Sequence, residues 1–203
     1  MKNLILSTII GSSFLFSGMS NADPVTYNID KKGQHAFIQF KIQHLGYSWL
    51  IGEFTNFDGS FTIDKENQSN NSANIVIQTA SIDSNHAERD KHLRGEDFLN
   101  VSENPTAVFE STNFRTLGDN GNGILEGNFT LNGVTQNIEI GVRKIGEGED
   151  PWGGYRAGFE GSTTLLLSDY NINYDLGENS KEVQIYISLE GIKQWYKIFK
   201  LLN

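Results

Sequence analysis

Apolar residues recur at every second position through much of the chain after residue 22, as in β-strands that bury one face. In segment 36–44 one face carries Ala36, Ile38, Phe40, Ile42 and His44. Segments 159–167 and 182–189 alternate in the same way, and 74–80 and 107–114 are further short candidates. About eight or more short strands with turn residues between them predict an all-β sandwich or barrel.

The clearest turn lies at the dipeptide Asn132-Gly133, which favours a two-residue type I′ turn because both central residues need positive φ. Folding 125–131 back on 134–140 makes one face of the hairpin mostly apolar and the other uniformly polar. A shift of one residue would destroy this separation, so the pattern also predicts the register. The dipeptide Asp58-Gly59 predicts a second hairpin turn, between aromatic residues.

One stretch departs from the strand pattern. Asn85, with Glu88 three residues later, resembles a capping box and predicts a short helix over residues 87–93. This segment is too polar for a core helix, so we expect it to cover one end or edge of a barrel. No internal repeat, low-complexity tract or linker divides residues 23–194, which predicts one domain.

Residues 1–22 have the form of a cleaved secretory signal peptide. Lys2 precedes an apolar run over residues 4–16, and Ser20 and Ala22 are small residues at the positions that signal peptidase recognises. The apolar run is shorter than the ~20 residues that a bilayer-spanning helix needs. We therefore expect an exported, soluble protein located in the periplasm.

Composition narrows the classes of function. The chain has 203 residues, with 25 acidic and 16 basic side chains and a formal net charge of -9, which disfavours a nucleic-acid partner. It has no cysteine, which excludes disulfides, thiol catalysis and cysteine-based zinc sites. The chain lacks the G-x-S-x-G and S-x-x-K motifs, and its glycine-rich stretch 146–154 is acidic and would repel phosphate.

Several longer blocks resemble a known family. They include QHLGYS at 43–48, NHAERDKHL at 85–93 and DPWGG at 150–154, with shorter matches at 27–30, 34–37, 131–135 and 167–171. These blocks are similar to those of the YceI-like family, which is also described as periplasmic, polyisoprenoid-binding and lipocalin-like. The resemblance implies an antiparallel barrel of about eight strands around an elongated apolar cavity. Within the family this cavity is associated with polyprenyl chains, quinone-like molecules or fatty amides.

If the barrel encloses the cavity that the resemblance implies, the apolar residues of the strands are candidate ligand contacts. Ten residues are predicted to line the cavity: Ile38, Phe40, Ile42, His44, Phe54, Phe109, Phe129, Ile138, Leu165 and Ile185. Such a lining binds hydrocarbon by removing it from water, at about 25 cal/mol per Å². The alternation by itself also fits a solid, close-packed core, and His44 also fits a hydrogen-bonded structural role.

Three polar or amphipathic residues are candidates for the cavity mouth or for contact with a ligand headgroup: Arg89, Asp90 and Trp152. Arg89 and Asp90 either contact a headgroup or fix the helix to the barrel through hydrogen bonds. Trp152 either forms an apolar lip or packs on the barrel rim. His86 and His92 are six residues apart and face different sides of a helix, so no metal site is predicted.

The last residues, from Trp195 to Asn203, extend beyond the family pattern. At helical spacing they place aromatic and aliphatic side chains on one face, with lysines beside it. Such a basic amphipathic tail could lie on an anionic membrane surface, or else fill a groove on the barrel or fray. An open edge strand, if present, could support a homodimer.

Together these features predict a periplasmic binding or carrier protein for an isoprenoid or similar long-chain apolar lipid. It needs no cofactor, although a bound isoprenoid or quinone-like lipid is an expected ligand. One alternative is an enzyme that acts on such a lipid through His44. The other is a ligand-free interaction module, which would have a filled interior and a sizeable exposed apolar patch.

Overall fold

The computed structural model describes residues 23–33, 35–118 and 120–194. These residues form strands and one short α-helix, α1, at Ala87–Leu93. The strands, in chain order, are β1 Val25–Ile29, β2 Phe37–His44, β3 Ser48–Phe54, β4 Phe57–Ile63, β5 Ser72–Gln78, β6 Ile82–Asp83, β7 Thr106–Thr116, β8 Gly123–Leu131, β9 Val134–Glu149, β10 Tyr155–Leu166 and β11 Glu182–Lys193.

The strands form an antiparallel barrel. The order β1-β4-β5-β7-β8-β9-β10-β11 returns to β1, which closes eight strands into a ring. The barrel wall branches at β11, because residues 191–193 pair with β1 while residues 184–188 pair with β2. Strands β3 and β6 then continue the wall beyond β2. The structure therefore confirms the predicted all-β barrel with one short helix.

The β8–β9 hairpin has the predicted register. Leu131 lies opposite Val134, and the pairing continues outward from there without a shift. Asn132 and Gly133 have φ values of 48° and 75°, as a type I′ turn requires. The Asn132 side chain also accepts a hydrogen bond from Asn104 at 3.1 Å and donates one to the Tyr170 carbonyl at 3.0 Å. The turn is thereby tied to two neighbouring segments.

Two local predictions are wrong. Asp58-Gly59 lies inside β4 and forms no turn. A Cβ atom on Gly59 would lie 2.2 Å from the Asn74 carbonyl oxygen, so this glycine permits close approach of β5. The N-cap of α1 is His86, whose Nδ1 accepts the Arg89 N–H at 3.2 Å, because Asn85 adopts a left-handed conformation one residue earlier.

The two ends of the barrel differ. One end, here called the helix end, carries α1 and the point where β10 finishes opposite the start of β11, at Leu166 and Glu182. The other, the far end, carries the β9–β10 connection and Gln194, whose N–H bonds to the Thr26 carbonyl at 2.9 Å. In the described ranges no helix is long and apolar enough to cross a membrane.

Candidate ligand-binding cavity

Two adjoining cavities occupy the barrel interior. The inner cavity, of about 140 Å³, extends toward the far end, where Phe61, Phe159 and Leu189 line it. The outer cavity, of about 400 Å³, lies at the helix end, where Leu93 and Leu167 line it. Five residues line both cavities and form a waist between them: Phe54, Ile77, Phe129, Leu165 and Ile185. The interior is therefore hollow along the barrel axis, in contrast to a solid core.

The lining of the inner cavity is apolar because alternate residues of each strand face inward. Successive strands turn every second side chain inward, as Ala73, Ile75 and Ile77 do on β5. Five of its lining residues are polar, namely Thr62, Asn71, Ser72, Glu160 and Thr163, but the atoms that face the cavity are nearly all apolar. A group placed here meets hydrocarbon on nearly all sides, so the cavity favours an apolar chain over any polar ligand.

All ten residues predicted as ligand contacts line one or both cavities. Ile38, Phe109 and Ile138 line the inner cavity, and Phe40, Ile42 and His44 line the outer one. The other four, Phe54, Phe129, Leu165 and Ile185, belong to the waist. The structure thus brings the ten together around one space. That a ligand contacts them stays a prediction.

Other lining residues were not predicted. Phe61 and Phe159 belong to the inner cavity, and the strand alternation that revealed the ten would have revealed both. Phe98, Tyr174 and Leu176 line the outer cavity from segments outside the strands. Loop segments carry no periodic pattern, so the sequence offers no comparable signal for these three.

Polar side chains gather where the outer cavity meets the helix end. Gln43, His44, Arg89, His92 and Asp175 all line it there. The His92 ring stands edge-on to Phe98 and to Tyr174, with centroids 5.0 and 5.2 Å away, and its Nε2 lies 3.1 Å from an Asp97 oxygen. An apolar chain in the cavity would therefore present a polar headgroup to this rim.

Arg89 and Asp90 both bind the segment before α1. Asp90 accepts hydrogen bonds from the Ser84 amide at 2.8 Å and from its hydroxyl at 2.5 Å. Arg89 donates to the Ser84 hydroxyl at 2.8 Å and to its carbonyl at 2.6 Å. Burial opposes ionisation of Asp90, but the bonds from Ser84 and the charges of Arg94 and Arg89 outweigh it and lower its pKa. These contacts favour the role of fixing the helix.

Trp152 lies at the far end and is 77% exposed. It belongs to the β9–β10 connection, whereas Arg89 lies at the rim of the outer cavity, at the helix end. A full strand length separates these two places, so the structure does not bring Trp152 to the same mouth as Arg89 and Asp90. The Trp152 ring instead lies 5.6 Å from the guanidinium carbon of Arg156. This contact places the ring beside Arg156 at the barrel rim, with most of the ring surface exposed to solvent.

Arg156 organises the far end through three carboxylates. It bonds to Asp30 and Glu190 at 2.5 Å and to Asp150 at 2.7 Å. Burial raises the pKa of Asp30, but hydrogen bonds from Arg156 and from the Gly33 amide outweigh it and bring the pKa below its ordinary value. The network joins two of the sequence blocks, 27–30 and 150–154, across the end of the barrel.

The same network accounts for a group with metal-ligand geometry. Ligand atoms of Asp30, His35 and Glu190 lie within 4.8 Å of one another. Both carboxylates already pair with Arg156, and its positive charge would oppose a second cation between them. The group is better explained as an ion-pair network than as a metal centre.

The comparison with known families agrees with this architecture. A model described as the YceI-like domain matches residues 27–191. The chain belongs to the YceI-like family. A protein of Pseudomonas aeruginosa named UPF0312 protein is 55% identical over 194 residues, which covers 96% of this chain and 100% of that protein. A UPF0312 protein of Yersinia pestis is 52% identical over 192 residues, 94% of this chain and 99% of that one.

Solved structures share the barrel of this YceI-like chain. Burkholderia cenocepacia BcnA matches with a TM-score of 0.69 at 21% identity, over 80% of this chain and 98% of that one. The Campylobacter jejuni YCEI protein matches with a TM-score of 0.67 at 22% identity, over 76% and 91%. A polyisoprenoid binding domain from Saccharophagus degradans, described as implicated in plant cell wall breakdown, matches with a TM-score of 0.61 at 14% identity, over 83% and 98%. At these identities the likeness concerns the fold.

Proposed function

We propose that this protein is a periplasmic carrier that holds an isoprenoid or similar long-chain apolar lipid inside its barrel. The observation that carries the proposal is the pair of adjoining apolar cavities, which open at a polar rim. The name of the Saccharophagus degradans domain, which describes polyisoprenoid binding, supports the same class of ligand. Periplasmic location rests on the signal-like residues 1–22, which lie outside the described residues.

Binding of this kind needs no chemical step. Each buried methylene of the ligand contributes about 0.8 kcal/mol by leaving water, and the barrel wall supplies the apolar surroundings. The hydrocarbon chain of the lipid would lie through the waist, while the lipid headgroup stays near Gln43, His44 and His92 at the hydrated rim. Lipid binding of this kind therefore requires only the shape and polarity of the cavities.

The alternatives have less support. An enzyme that acts through His44 would need a group that orients this base, but in the part of the chain that the structure describes His44 forms no ion pair with a carboxylate. His92 at the rim does pair with a carboxylate, but its partner Asp97 is exposed. An interaction module with a filled interior does not fit the two cavities. The tail from Trp195 to Asn203 lies outside the described residues, so its membrane contact stays a prediction, as does the homodimer.

Filling the waist tests the proposal. Delipidated protein would be titrated with a fluorescent prenyl alcohol, comparing wild type with the variant Ile185→Trp. We expect the affinity for the prenyl alcohol to fall about tenfold or more, because at least two methylenes of the ligand can no longer be buried beyond the waist. Tyr186→Trp is the matched control, since Tyr186 is the next residue of β11 and is 43% exposed. Equal affinity of both variants, or no binding by wild type, would contradict the proposal.

A further inference from the structure

The β2–β3 hairpin exposes a group of apolar side chains in its turn and at the start of β3, here called the hairpin tip. It consists of Leu45, Tyr47, Trp49 and Ile51, which are 52%, 86%, 45% and 58% exposed. Single exposed apolar residues are common on protein surfaces, but four within seven positions form a patch that needs an explanation.

The hairpin tip lies on an uncharged segment of a strongly acidic protein. Residues 42–52 contain no Asp, Glu, Lys or Arg, although the chain carries 25 acidic and 16 basic residues. The preceding residue, Lys41, holds its Nζ 3.9 Å from the centre of the Trp49 ring. Moving this segment out of water therefore requires no charged side chain to lose its hydration. The nearest charged residue on the β2 side, Lys41, is positive.

The hairpin tip borders the opening of the outer cavity. Leu45 itself lines that cavity. Trp49 and Ile51 line a groove beside β3, and this groove shares His44, Leu50 and Arg89 with the outer cavity. A surface that contacts the hairpin tip would therefore lie directly against the cavity opening.

The hairpin tip is held in place at its base. The Ser180 hydroxyl donates to the Gln43 carbonyl at 2.6 Å, and Ser180 is buried. The Tyr47 amide donates to the His44 carbonyl at 2.9 Å within the turn. A pre-ordered tip loses little conformational entropy when it contacts a surface.

We propose that the hairpin tip docks this protein onto the surface of a lipid bilayer, with the cavity opening facing the membrane. Trp and Tyr prefer the membrane interface, where their rings sit at headgroup level. Lys41 adds attraction to anionic headgroups. The docking contact does not depend on a filled cavity.

This orientation can be told apart from membrane contact through the tail. Gln194, the residue before the tail, lies at the far end, whereas the hairpin tip lies at the helix end. The two contacts would turn opposite ends of the barrel toward the lipid. The three tryptophans report on this directly, because Trp49 is in the hairpin tip, Trp152 is at the far end and Trp195 begins the tail.

The test uses full-length exported protein in three variants, each of which keeps one tryptophan and has phenylalanine at the other two positions. Fluorescence would be recorded with vesicles of mixed phosphatidylethanolamine and phosphatidylglycerol that carry brominated acyl chains. We expect strong quenching and a blue shift for Trp49 and no quenching for Trp152. Quenching confined to Trp195 or Trp152, or no quenching at all, would overturn the proposal.

Vesicle co-sedimentation provides a matched pair of variants. Tyr47→Ser in the hairpin tip should lower the partition coefficient onto vesicles by about tenfold, since one aromatic side chain leaves the interface. Trp152→Ser removes a comparably exposed ring at the far end and should leave binding unchanged. Delipidated protein should bind vesicles as well as loaded protein, which separates this result from the carrier function. A dimer that pairs through β3 and leaves vesicles unbound would refute the proposal.

Discussion

The Phe61 ring lies stacked on the Tyr27 ring, with centroids 5.2 Å apart and planes within 12°. Phe159 meets the Phe61 ring edge-on at 5.4 Å. Phe61 and Phe159 line the inner cavity, whereas Tyr27 is outside its lining and almost fully buried. A Cβ atom on Gly191 would lie 2.6 Å from the Phe61 ring, so the glycine makes room for the stack. Phe61 therefore forms part of an aromatic wall of the inner cavity toward the far end, where Ile63 also lines it.

We expect this aromatic wall to limit the length of the ligand. For wild type, affinity should rise with the number of isoprene units in a prenyl alcohol and then stop rising. Phe61→Ala should extend the rise to longer chains, with a gain of about tenfold there, because two or more further methylenes become buried. Fluorescence competition across a series of prenyl alcohols measures both profiles.

The control for this series is Phe57→Ala. Phe57 lies on the same strand and is equally buried, at 8% exposure against 7% for Phe61, but it lines neither cavity. Phe57→Ala should destabilise the protein without moving the length limit. If the ligand length at which affinity stops rising is the same in Phe61→Ala as in wild type, Phe61 does not limit the length of the ligand.

The Arg156 network should contribute to stability at the far end. Arg156→Gln should lower the free energy of unfolding by about 3 kcal/mol at pH 7, since it leaves the buried Asp30 carboxylate without its cation. Urea unfolding followed by circular dichroism measures this difference. Lys31→Gln is the control, because Lys31 forms an exposed ion pair with Asp58 and should change stability by less than about 1 kcal/mol.

The contribution of this network should depend on pH in one direction. Burial opposes ionisation of Asp30, but the bonds from Arg156 and Gly33 lower its pKa below the ordinary 3.8, so the folded state favours the carboxylate. The stabilisation is then fully present above about pH 4 and is lost as pH falls through the lowered pKa. The stability difference between wild type and Arg156→Gln should shrink below pH 4, and a difference that grew there would contradict this account.

Asp90 should matter for stability and little for ligand binding. Asp90→Ala removes the acceptor of two hydrogen bonds from Ser84, and we expect a loss of about 2 kcal/mol in the free energy of unfolding. Affinity for a prenyl alcohol should stay within about twofold of wild type, because the Asp90 side chain does not line the outer cavity. Loss of affinity in a folded Asp90→Ala variant would instead support the headgroup role.

The β8–β9 turn should be sensitive to its glycine. Gly133→Ala places a side chain at φ 75° and should cost about 1 kcal/mol or more. Gly146→Ala serves as the control, because an added Cβ there meets no atom within 4 Å and its φ is not positive. Thermal unfolding of the two variants measures the difference, and equal melting temperatures would argue against strain at this turn.

Much of the barrel could be predicted because its signals are local. The period-two pattern identifies which side of a strand faces inward, and that rule placed all ten candidate residues on the cavities. The turn at Asn132-Gly133 was predictable because positive φ at both positions requires particular residues. The same rule predicted a turn at Asp58-Gly59 that is not there, because Gly59 lies in a strand and permits the close approach of β5.

What the sequence did not reveal depends on how distant segments meet. Tyr174 and Phe98 reach the outer cavity from loops, and no periodicity marks them. Trp152 and Arg89 were both candidates for a cavity mouth or a headgroup contact, and the direction and length of β10 place them at opposite ends of the barrel. Such relationships follow from sheet topology, which the local pattern of residues does not contain.

Native mass spectrometry of protein purified from its producing cells without detergent tests the central claim most directly. We expect a population heavier than the mature polypeptide by the mass of one lipid, and solvent extraction should release a long-chain apolar molecule of that mass. The loaded population should be smaller for Ile185→Trp, whose waist is filled and whose affinity for the lipid is expected to be about tenfold lower. A bare polypeptide in every preparation, which also remains bare after incubation with prenyl alcohols, would contradict the carrier account.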